Sequence, residues 1–214
     1  FLETVLLRFG FHRKMVKWIM TCVSTVSYSL CINGDIHGFF YGKRGLRQGD
    51  PLSPYLFTLV MEVLSLLLQH AARTHASFKF HSLCAKQRII NVSFADDLFI
   101  FAHGDRPSVK VLRDALGSFT KISGLVPSAP KSTIFFCNVP NHVKTQILGL
   151  MPFQEGTLPV RYLGVPLIST CLAYRDCKVL IERVKRRIDN WMSRSLSFAG
   201  RLQLINSVLA SMYT

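Results

Sequence analysis

Acidic residues are scarce in this sequence of 214 residues, which has 12 Asp and Glu against 26 Lys and Arg and a formal net charge of +14. Such an excess of positive charge favours binding to phosphate backbones, because bound cations release the counterions that surround nucleic acid. The basic residues are spread along the chain, so no single tail explains the charge. The composition therefore agrees with a nucleic-acid partner without proving one.

Cysteine patterns typical of zinc sites are lacking. None of the six cysteines forms a CxxC pair, and the seven histidines are scattered without a His-Cys cluster at ligand spacing. We expect the cysteines to be reduced and buried in an intracellular protein, in the nucleus or the cytoplasm, and a zinc site is not expected.

Signal peptides, internal repeats and long apolar runs are also lacking. The most apolar stretch, residues 52–68, contains Pro54 and Glu62 and falls short of the roughly 20 residues that span a bilayer. We therefore expect no membrane-spanning segment. With 49% hydrophobic residues the chain can bury a sizeable core, and we expect one main unit with a small second subdomain.

The decapeptide GLRQGDPLSP, residues 45–54, opens directly into that apolar stretch. Gly45 and Gly49 allow a sharp bend or a close approach of a ligand to the backbone. Asp50 is a suitable N-cap and Pro51 a suitable first helical residue, so the spacing predicts a helix from residue 51 to 73. Its nearly continuous apolar residues indicate a helix buried in a core.

Arg47 and Gln48 would then lie on a loop held by a rigid helix. The glycines and the cap alone are equally compatible with an ordinary loop before a well-capped helix.

Two carboxylates, Asp96 and Asp97, lie between two apolar, strand-like runs, residues 88–95 and 98–102. This pattern predicts a hairpin with the aspartates at its tip. Adjacent carboxylates repel each other in a half-buried setting, which suggests a counter-cation, and oxygen ligands favour Mg²⁺ or Mn²⁺ over zinc. The alternative is that the two aspartates are present only because aspartate is favoured in turns.

Four segments occur together in a specific order: GLRQGDPLSPYLF, FADD, SGLVPSAPKS and LPVRYLGVPL. Their order and spacing resemble those of reverse transcriptases of non-long-terminal-repeat retrotransposons, the LINE-like elements abundant in plants. The resemblance runs essentially from residue 1 to 214. It implies an α+β fold, with a right-hand polymerase palm and partial fingers over residues 1–168 and the start of a helical thumb over residues 169–214.

The resemblance also implies an RNA-directed DNA polymerase that works with an RNA template, a DNA primer, deoxynucleoside triphosphates and Mg²⁺ or Mn²⁺, inside a longer retrotransposon polyprotein. It assigns metal binding and catalysis to Asp96 and its neighbour Asp97, and assistance of pyrophosphate departure to Lys131. It places template and incoming nucleotide along Arg47, Gln48 and Gly49, and the primer end at Tyr162, Leu163 and Gly164.

Two departures from the family pattern stand out. The family has a further aspartate shortly before the segment that begins this sequence, whereas residues 1–32 contain only Glu3, which lies in a predicted amphipathic helix. We therefore expect an incomplete metal site and a fragment that is inactive alone; the alternative is a non-catalytic nucleic-acid-binding relic. The second departure is Ser128, at a position where the family usually has asparagine near Lys131.

Basic residues of the predicted helix 174–193 lie off its apolar stripe, which fits a thumb helix tracking nucleic acid or, equally, a solvated face of a structural helix. We also expect helices near 2–9, 12–22, 107–121, 140–149 and 198–212. Further strands are expected at 25–32, 36–41, 78–80, 132–136 and 160–163.

Overall fold

The computed structural model of the chain describes residues 1–163, 165–167, 174–190 and 197–209. These residues form two compact units, Phe1–Gly156 and Thr157–Thr214. Helices and strands are mixed in both units, so the predicted combination of α and β structure is confirmed at this level.

The first unit contains five α-helices and six strands among its described residues. In chain order they are α1 (Leu2–Arg8), α2 (Arg13–Ser24), β1 (Ser27–Ile32), β2 (Asp35–Tyr41), α3 (Ser53–Thr74), β3 (Asn91–Phe94), β4 (Asp97–Ile100), α4 (Arg106–Ser123), β5 (Thr133–Phe135), α5 (Asn141–Leu150) and β6 (Gln154–Gly156). A short 3-10 helix, Ala129–Lys131, precedes β5.

The second unit contains β7 (Val160–Tyr162), β8 (Val165–Leu167), α6 (Tyr174–Asn190) and α7 (Phe198–Leu204), which continues into a π-helix at Ile205–Leu209. The strands of the described chain pair two by two: β1 with β2, β3 with β4 and β7 with β8 are antiparallel, whereas β5 and β6 are parallel.

The main core of the first unit forms where α3 packs on α4. A stripe of residues four apart on α3, ending at Leu64 and Leu68, meets a buried face of α4 that includes Leu116 and Phe119. Ile90, just before β3, belongs to the same cluster. Apolar residues on one side of each helix thus fix α3, α4 and the β3–β4 hairpin together.

A second cluster joins α1 and α2 to the beginning of α3. Leu6, Val16 and Ile19 are buried against Leu56. The start of α3, which follows the decapeptide, is therefore packed on its own small core.

Two expectations for α3 are wrong. The helix begins at Ser53, because the Asp50 carboxylate accepts a hydrogen bond from the backbone N–H of Leu52 at 2.8 Å and closes a turn instead of capping the helix at residue 51. The helix is also not buried all round: Leu56, Val60, Leu64 and Leu68 are buried, while Tyr55 and Leu66 are exposed.

The length argument against a membrane span is wrong as well. α3 has 22 residues and contains an 18-residue window with a mean hydropathy of 1.5, so it is long and apolar enough to cross a bilayer by length and composition alone. In the folded chain its buried stripe packs on α4, as in the core helix of a folded domain.

The strand expected at residues 78–80 is replaced by irregular backbone. The Lys79 N–H donates to the Ser108 hydroxyl at 2.9 Å, and the Lys79 carbonyl accepts from the backbone N–H of His103 at 3.0 Å. These bonds tie the segment to the start of α4, so its backbone groups need no partner strand. Conversely, β6 and β8 were not predicted.

The cysteines are less buried than expected. Cys22, Cys31 and Cys137 are exposed, and Cys84 and Cys177 are intermediate, all as free thiols. Cys171 lies outside the described residues.

Candidate active site

The predicted hairpin is present, with both aspartates at its tip. Phe94 pairs with Asp97, so Ala95 and Asp96 form a two-residue connection between β3 and β4. Ala95 has a φ of 49°, in the left-handed region that the first residue of such a tight turn requires. Asp96 and Asp97 are exposed, which corrects the expectation of a half-buried carboxylate pair.

The base of the hairpin is fixed on the core. Ile90 is 3% exposed, and its carbonyl accepts a hydrogen bond from the N–H of Phe101 at 2.7 Å, extending the strand pair below Ile100. Leu98 and Ile100 pack against the main cluster. The exposed carboxylates thus lie at one end of two strands whose other ends pack against the main cluster.

One side-chain hydrogen bond links the hairpin directly to α3. Asn91, the first residue of β3, donates from its Nδ2 atom to the Ser65 Oγ atom at 2.9 Å, in a partly buried setting. Since α3 also follows the decapeptide loop, this bond couples the two motif-bearing elements. Sequence reasoning missed both residues; the available signal was a polar Ser65 inside an otherwise apolar helix.

The decapeptide loop is anchored at both ends. Leu46 packs against the second cluster, and the backbone of Asp50 bonds to Ser53 at 3.1 Å at the start of α3. Gly45 and Gly49 have φ values of 83° and 84°, so the bends expected of these glycines are confirmed.

Between these anchors Arg47 and Gln48 are exposed. The loop therefore presents their side chains to solvent on a backbone that its ends hold in place.

Lys131 is the last residue of the 3-10 helix and is exposed. The carbonyl of Ser128 accepts the Lys131 N–H at 3.0 Å and the Ser132 hydroxyl at 2.8 Å. The turn before β5 is therefore closed by the backbone of Ser128, although this residue departs from the family pattern.

The three remaining predicted residues belong to the second unit. Tyr162 ends β7 with a half-buried side chain, and Leu163 follows with a φ of 50° and an exposed side chain. Gly164 lies outside the described residues.

The predicted catalytic residues are not joined into one network. Within the described ranges, no hydrogen bond or ion pair connects the side chains of Asp96, Asp97, Arg47 and Lys131. No group of three His, Cys, Asp or Glu residues that could hold a metal ion occurs in this part of the chain. Mg²⁺ is often held by one or two carboxylates with substrate phosphates and water, so Asp96 and Asp97 fit part of such a site and do not form a complete cage.

The basic helix α6 shows the expected separation of faces in part, because Ile188 of the predicted apolar stripe is exposed. Ile181 and Val184 are partly buried, whereas Lys185 and Arg186 are exposed. Lys178 lies 3.8 Å from Glu182 in a pair one helical turn apart. Trp191, the last residue of the predicted apolar stripe, lies outside the described residues.

The chain is similar to a known protein family and to several known proteins. Residues 2–167 match the family described as reverse transcriptase (RNA-dependent DNA polymerase). The chain is 29% identical over 172 residues, 76% of its length, to the retrovirus-related Pol polyprotein of the type-2 retrotransposable element R2DM of Drosophila melanogaster. It is also 29% identical over 97 residues, 45% of its length, to the Pol polyprotein of a type-1 retrotransposable element R2 of Popillia japonica.

A shorter and more similar segment matches a plant protein. Over 66 residues, 31% of the chain, it is 47% identical to an uncharacterised mitochondrial protein of Arabidopsis thaliana. The matches cover 54% of that protein and 15% of each of the two polyproteins. The chain therefore spans about half or less of the relatives it matches.

The family match covers the decapeptide loop, the hairpin, Lys131 and Tyr162, all in one stretch. The resemblance to retrotransposon reverse transcriptases is thereby confirmed, and the chain belongs to the reverse transcriptase (RNA-dependent DNA polymerase) family.

Proposed function

We propose that the chain is the core of a retrotransposon reverse transcriptase, which extends a DNA primer on an RNA template from deoxynucleoside triphosphates. The observation that carries this proposal is the pair of exposed carboxylates at the tip of a hairpin anchored in the core of a reverse-transcriptase-family chain. We also propose that it acts in the nucleus or the cytoplasm, where RNA and nucleotides occur together, and as part of a longer polyprotein.

In the proposed reaction the primer 3′-hydroxyl oxygen attacks the α-phosphorus of the nucleotide. A new P–O bond forms, the bond to pyrophosphate breaks, and the hydroxyl proton passes to solvent water. Asp96 and Asp97 would hold Mg²⁺ or Mn²⁺, which when bound supplies positive charge to the reacting phosphate oxygens. The exposure of the tip leaves room for nucleotide and primer on the carboxylate side.

Other residues take supporting roles in this proposal. Arg47, Gln48 and Gly49 line the path of template and incoming nucleotide on a loop held at both ends, and Lys131 neutralises the departing pyrophosphate. Tyr162, Leu163 and Gly164 position the primer end. The regions fall into a palm with partial fingers over residues 1–168 and the beginning of a thumb over residues 169–214.

We further propose that these 214 residues do not polymerise by themselves. Polymerases that use two metal ions need carboxylates from more than one strand, and the described residues supply one adjacent pair. The alternative is a chain that binds nucleic acid without incorporating nucleotides, which the net charge of +14 would support equally well.

Primer extension tests these alternatives. A labelled DNA primer annealed to RNA, with deoxynucleotides and Mg²⁺, is incubated with the 214-residue chain or with the same chain in its longer reading frame. We expect synthesis by the longer form only, abolished by Asp96→Asn and unaffected by Asp35→Asn, which removes an equally exposed carboxylate at the start of β2. Binding without synthesis by either form would support the non-catalytic alternative, and synthesis by the short chain would refute the proposed lack of a complete site.

A further inference from the structure

Helix α4 carries basic side chains on the side opposite its core face. Arg106, Lys110, Arg113 and Lys121 recur at spacings of three, four and eight residues, which places them on one side of the helix. We call these four residues the α4 basic stripe. The buried residues of α4 alternate with them and face the core: Ser108, Val111, Leu112, Ala115, Leu116 and Phe119.

The positive charge of the stripe is largely uncompensated. Arg113 lies 2.7 Å from Asp114, and both side chains are about half exposed. Arg106, Lys110 and Lys121 are exposed, and none of them forms an ion pair within the described part of the chain. The nearby Asp105 carboxylate is already engaged by Ser108 and His103.

A cleft borders the first half of the stripe. It has a volume of about 630 Å³, and its lining from α4 includes three cations and one carboxylate. The lining residues are Arg106, Pro107, Lys110, Val111, Arg113 and Asp114 from α4, His75 and Ser77 after α3, and Leu150 at the end of α5. The stripe is therefore the basic wall of a concave surface, where positive potential is stronger than on an isolated convex helix.

We propose that the α4 basic stripe binds the phosphate backbone of nucleic acid, at a surface separate from the hairpin tip and the decapeptide loop. From Arg106 to Lys121 the helix rises about 22 Å, a length comparable to six phosphates along one strand of a duplex at roughly 3.4 Å each. Several phosphates can thus be contacted at once by cations held on one rigid element.

The side chains present define how this surface recognises nucleic acid. The single aromatic residue of α4, Phe119, is 4% exposed and lies in the core, so the stripe offers no ring on which bases could stack. Lys and Arg contacts to phosphate position a strand without reading its sequence. The apolar face of α4 is already occupied by the core, so this helix cannot insert into a lipid surface as an amphipathic membrane helix does.

Matched charge reversals test the proposal in the full 214-residue chain. The stripe variant carries Lys110→Glu and Lys121→Glu, and the control carries Lys17→Glu and Lys86→Glu, exposed lysines on α2 and in the loop before β3. Both variants lower the net charge by the same amount. Affinity for a short fluorescein-labelled RNA and for a DNA duplex is measured by anisotropy over a range of salt concentrations, with circular dichroism to confirm folding.

We expect the stripe variant to reduce the slope of log affinity against log salt by about two, one for each lost phosphate contact, with a clearly weaker affinity at low salt. The control should change the slope by far less. Equal losses in the two variants would show that only net charge matters and would overturn the proposal, as would an absence of binding by the unmodified chain. Because no nucleotide incorporation is measured, this result is independent of the polymerase activity proposed above.

Discussion

Ala95 is a single residue on which the geometry of the carboxylate tip depends. Its φ of 49° lies in the left-handed region, which costs a residue with a side chain about 1–2 kcal/mol. Glycine adopts this region freely but loses more chain entropy on folding. We expect Ala95→Gly to raise the free energy of unfolding by about 0.5–1 kcal/mol, measured by urea denaturation.

Ala85→Gly is the matched control, because Ala85 is exposed in a turn and does not have a positive φ. It should leave stability unchanged or lower it slightly. If Ala95→Gly lowered the free energy of unfolding as Ala85→Gly does, the strain argument would be contradicted.

Asp105 joins the start of α4 to the segment before it. Its carboxylate accepts a hydrogen bond from the Ser108 N–H at 2.8 Å and lies 2.9 Å from the His103 ring. Partial burial acts to raise the pKa of Asp105, but the hydrogen bonds from Ser108 and the contact with His103 outweigh it, and the pKa is lowered below its ordinary value of 3.8. The ionised carboxylate is therefore the form that stabilises the fold.

This shift predicts a pH dependence with a definite sign. A carboxylate whose pKa is lower in the folded state contributes stability that is present above its unfolded pKa and is lost as pH falls through the folded pKa. We expect Asp105→Ala to cost about 1 kcal/mol at neutral pH through loss of the helix cap, and the cost to shrink below about pH 4. Urea denaturation at several pH values measures both effects.

The variant Asp105→Asn distinguishes the stability that comes from helix capping from the stability that depends on the carboxylate charge. Asparagine caps helices as well as aspartate does, so this variant should keep most of the neutral-pH stability while losing the acid dependence. If Asp105→Asn and Asp105→Ala were equally destabilising at neutral pH, the cap would not be the source of the stability.

At the scale of elements, α3 is the helix on which both motifs depend. Leu64 is 2% exposed in the core stripe, whereas Leu66 on the same helix is 50% exposed. We expect Leu64→Ala to lower the free energy of unfolding by about 2–5 kcal/mol, because it leaves a cavity between α3 and α4. Leu66→Ala should change it by no more than about 0.5 kcal/mol. Similar small effects of the two substitutions, measured by denaturation in the absence of lipid, would contradict the packing of α3 as a core helix.

Elements defined by local signals were predictable from the sequence, and those defined by distant contacts were not. The β3–β4 hairpin and α4 follow from alternation and helical periodicity over short windows. In contrast, β6 exists because it pairs in parallel with β5 across the intervening α5, a contact that no local pattern encodes. The strand expected at residue 78 failed for the same reason, since Ser108 supplies its hydrogen bond from a different element.

In the candidate site, too, the features set by local sequence were predictable and those set by distant contacts were not. The positions of Asp96 and Asp97 at a hairpin tip followed from the sequence, and so did the bends at Gly45 and Gly49. The Asn91–Ser65 hydrogen bond did not, because it joins side chains 26 positions apart and no local pattern pairs the two residues. The motifs themselves thus follow from local sequence, whereas the hydrogen bond that connects them depends on the tertiary structure.

At the scale of the whole molecule, the core residues that the structure describes are distributed unevenly between the two units. The buried hydrophobic residues of the described chain all lie at or before Ile147, and the β5–β6 pair closes the same unit at Gly156. Among the described residues, the members of both hydrophobic clusters also lie within residues 1–156. These clusters give the first unit a hydrophobic core of its own.

We expect a chain ending at Gly156 to fold without the second unit. It should keep its helical circular dichroism and unfold in one cooperative transition, with a midpoint close to that of the first transition of the full chain. A shorter chain that ends at Asn138 is the control, because it removes α5 together with the buried Ile147 and leaves β5 without its partner. That truncation should lower the midpoint markedly, since the α4 surface under α5 becomes exposed. Loss of cooperative unfolding in the chain ending at Gly156 would show instead that residues 157–214 contribute to the stability of the unit that carries the decapeptide loop and the hairpin.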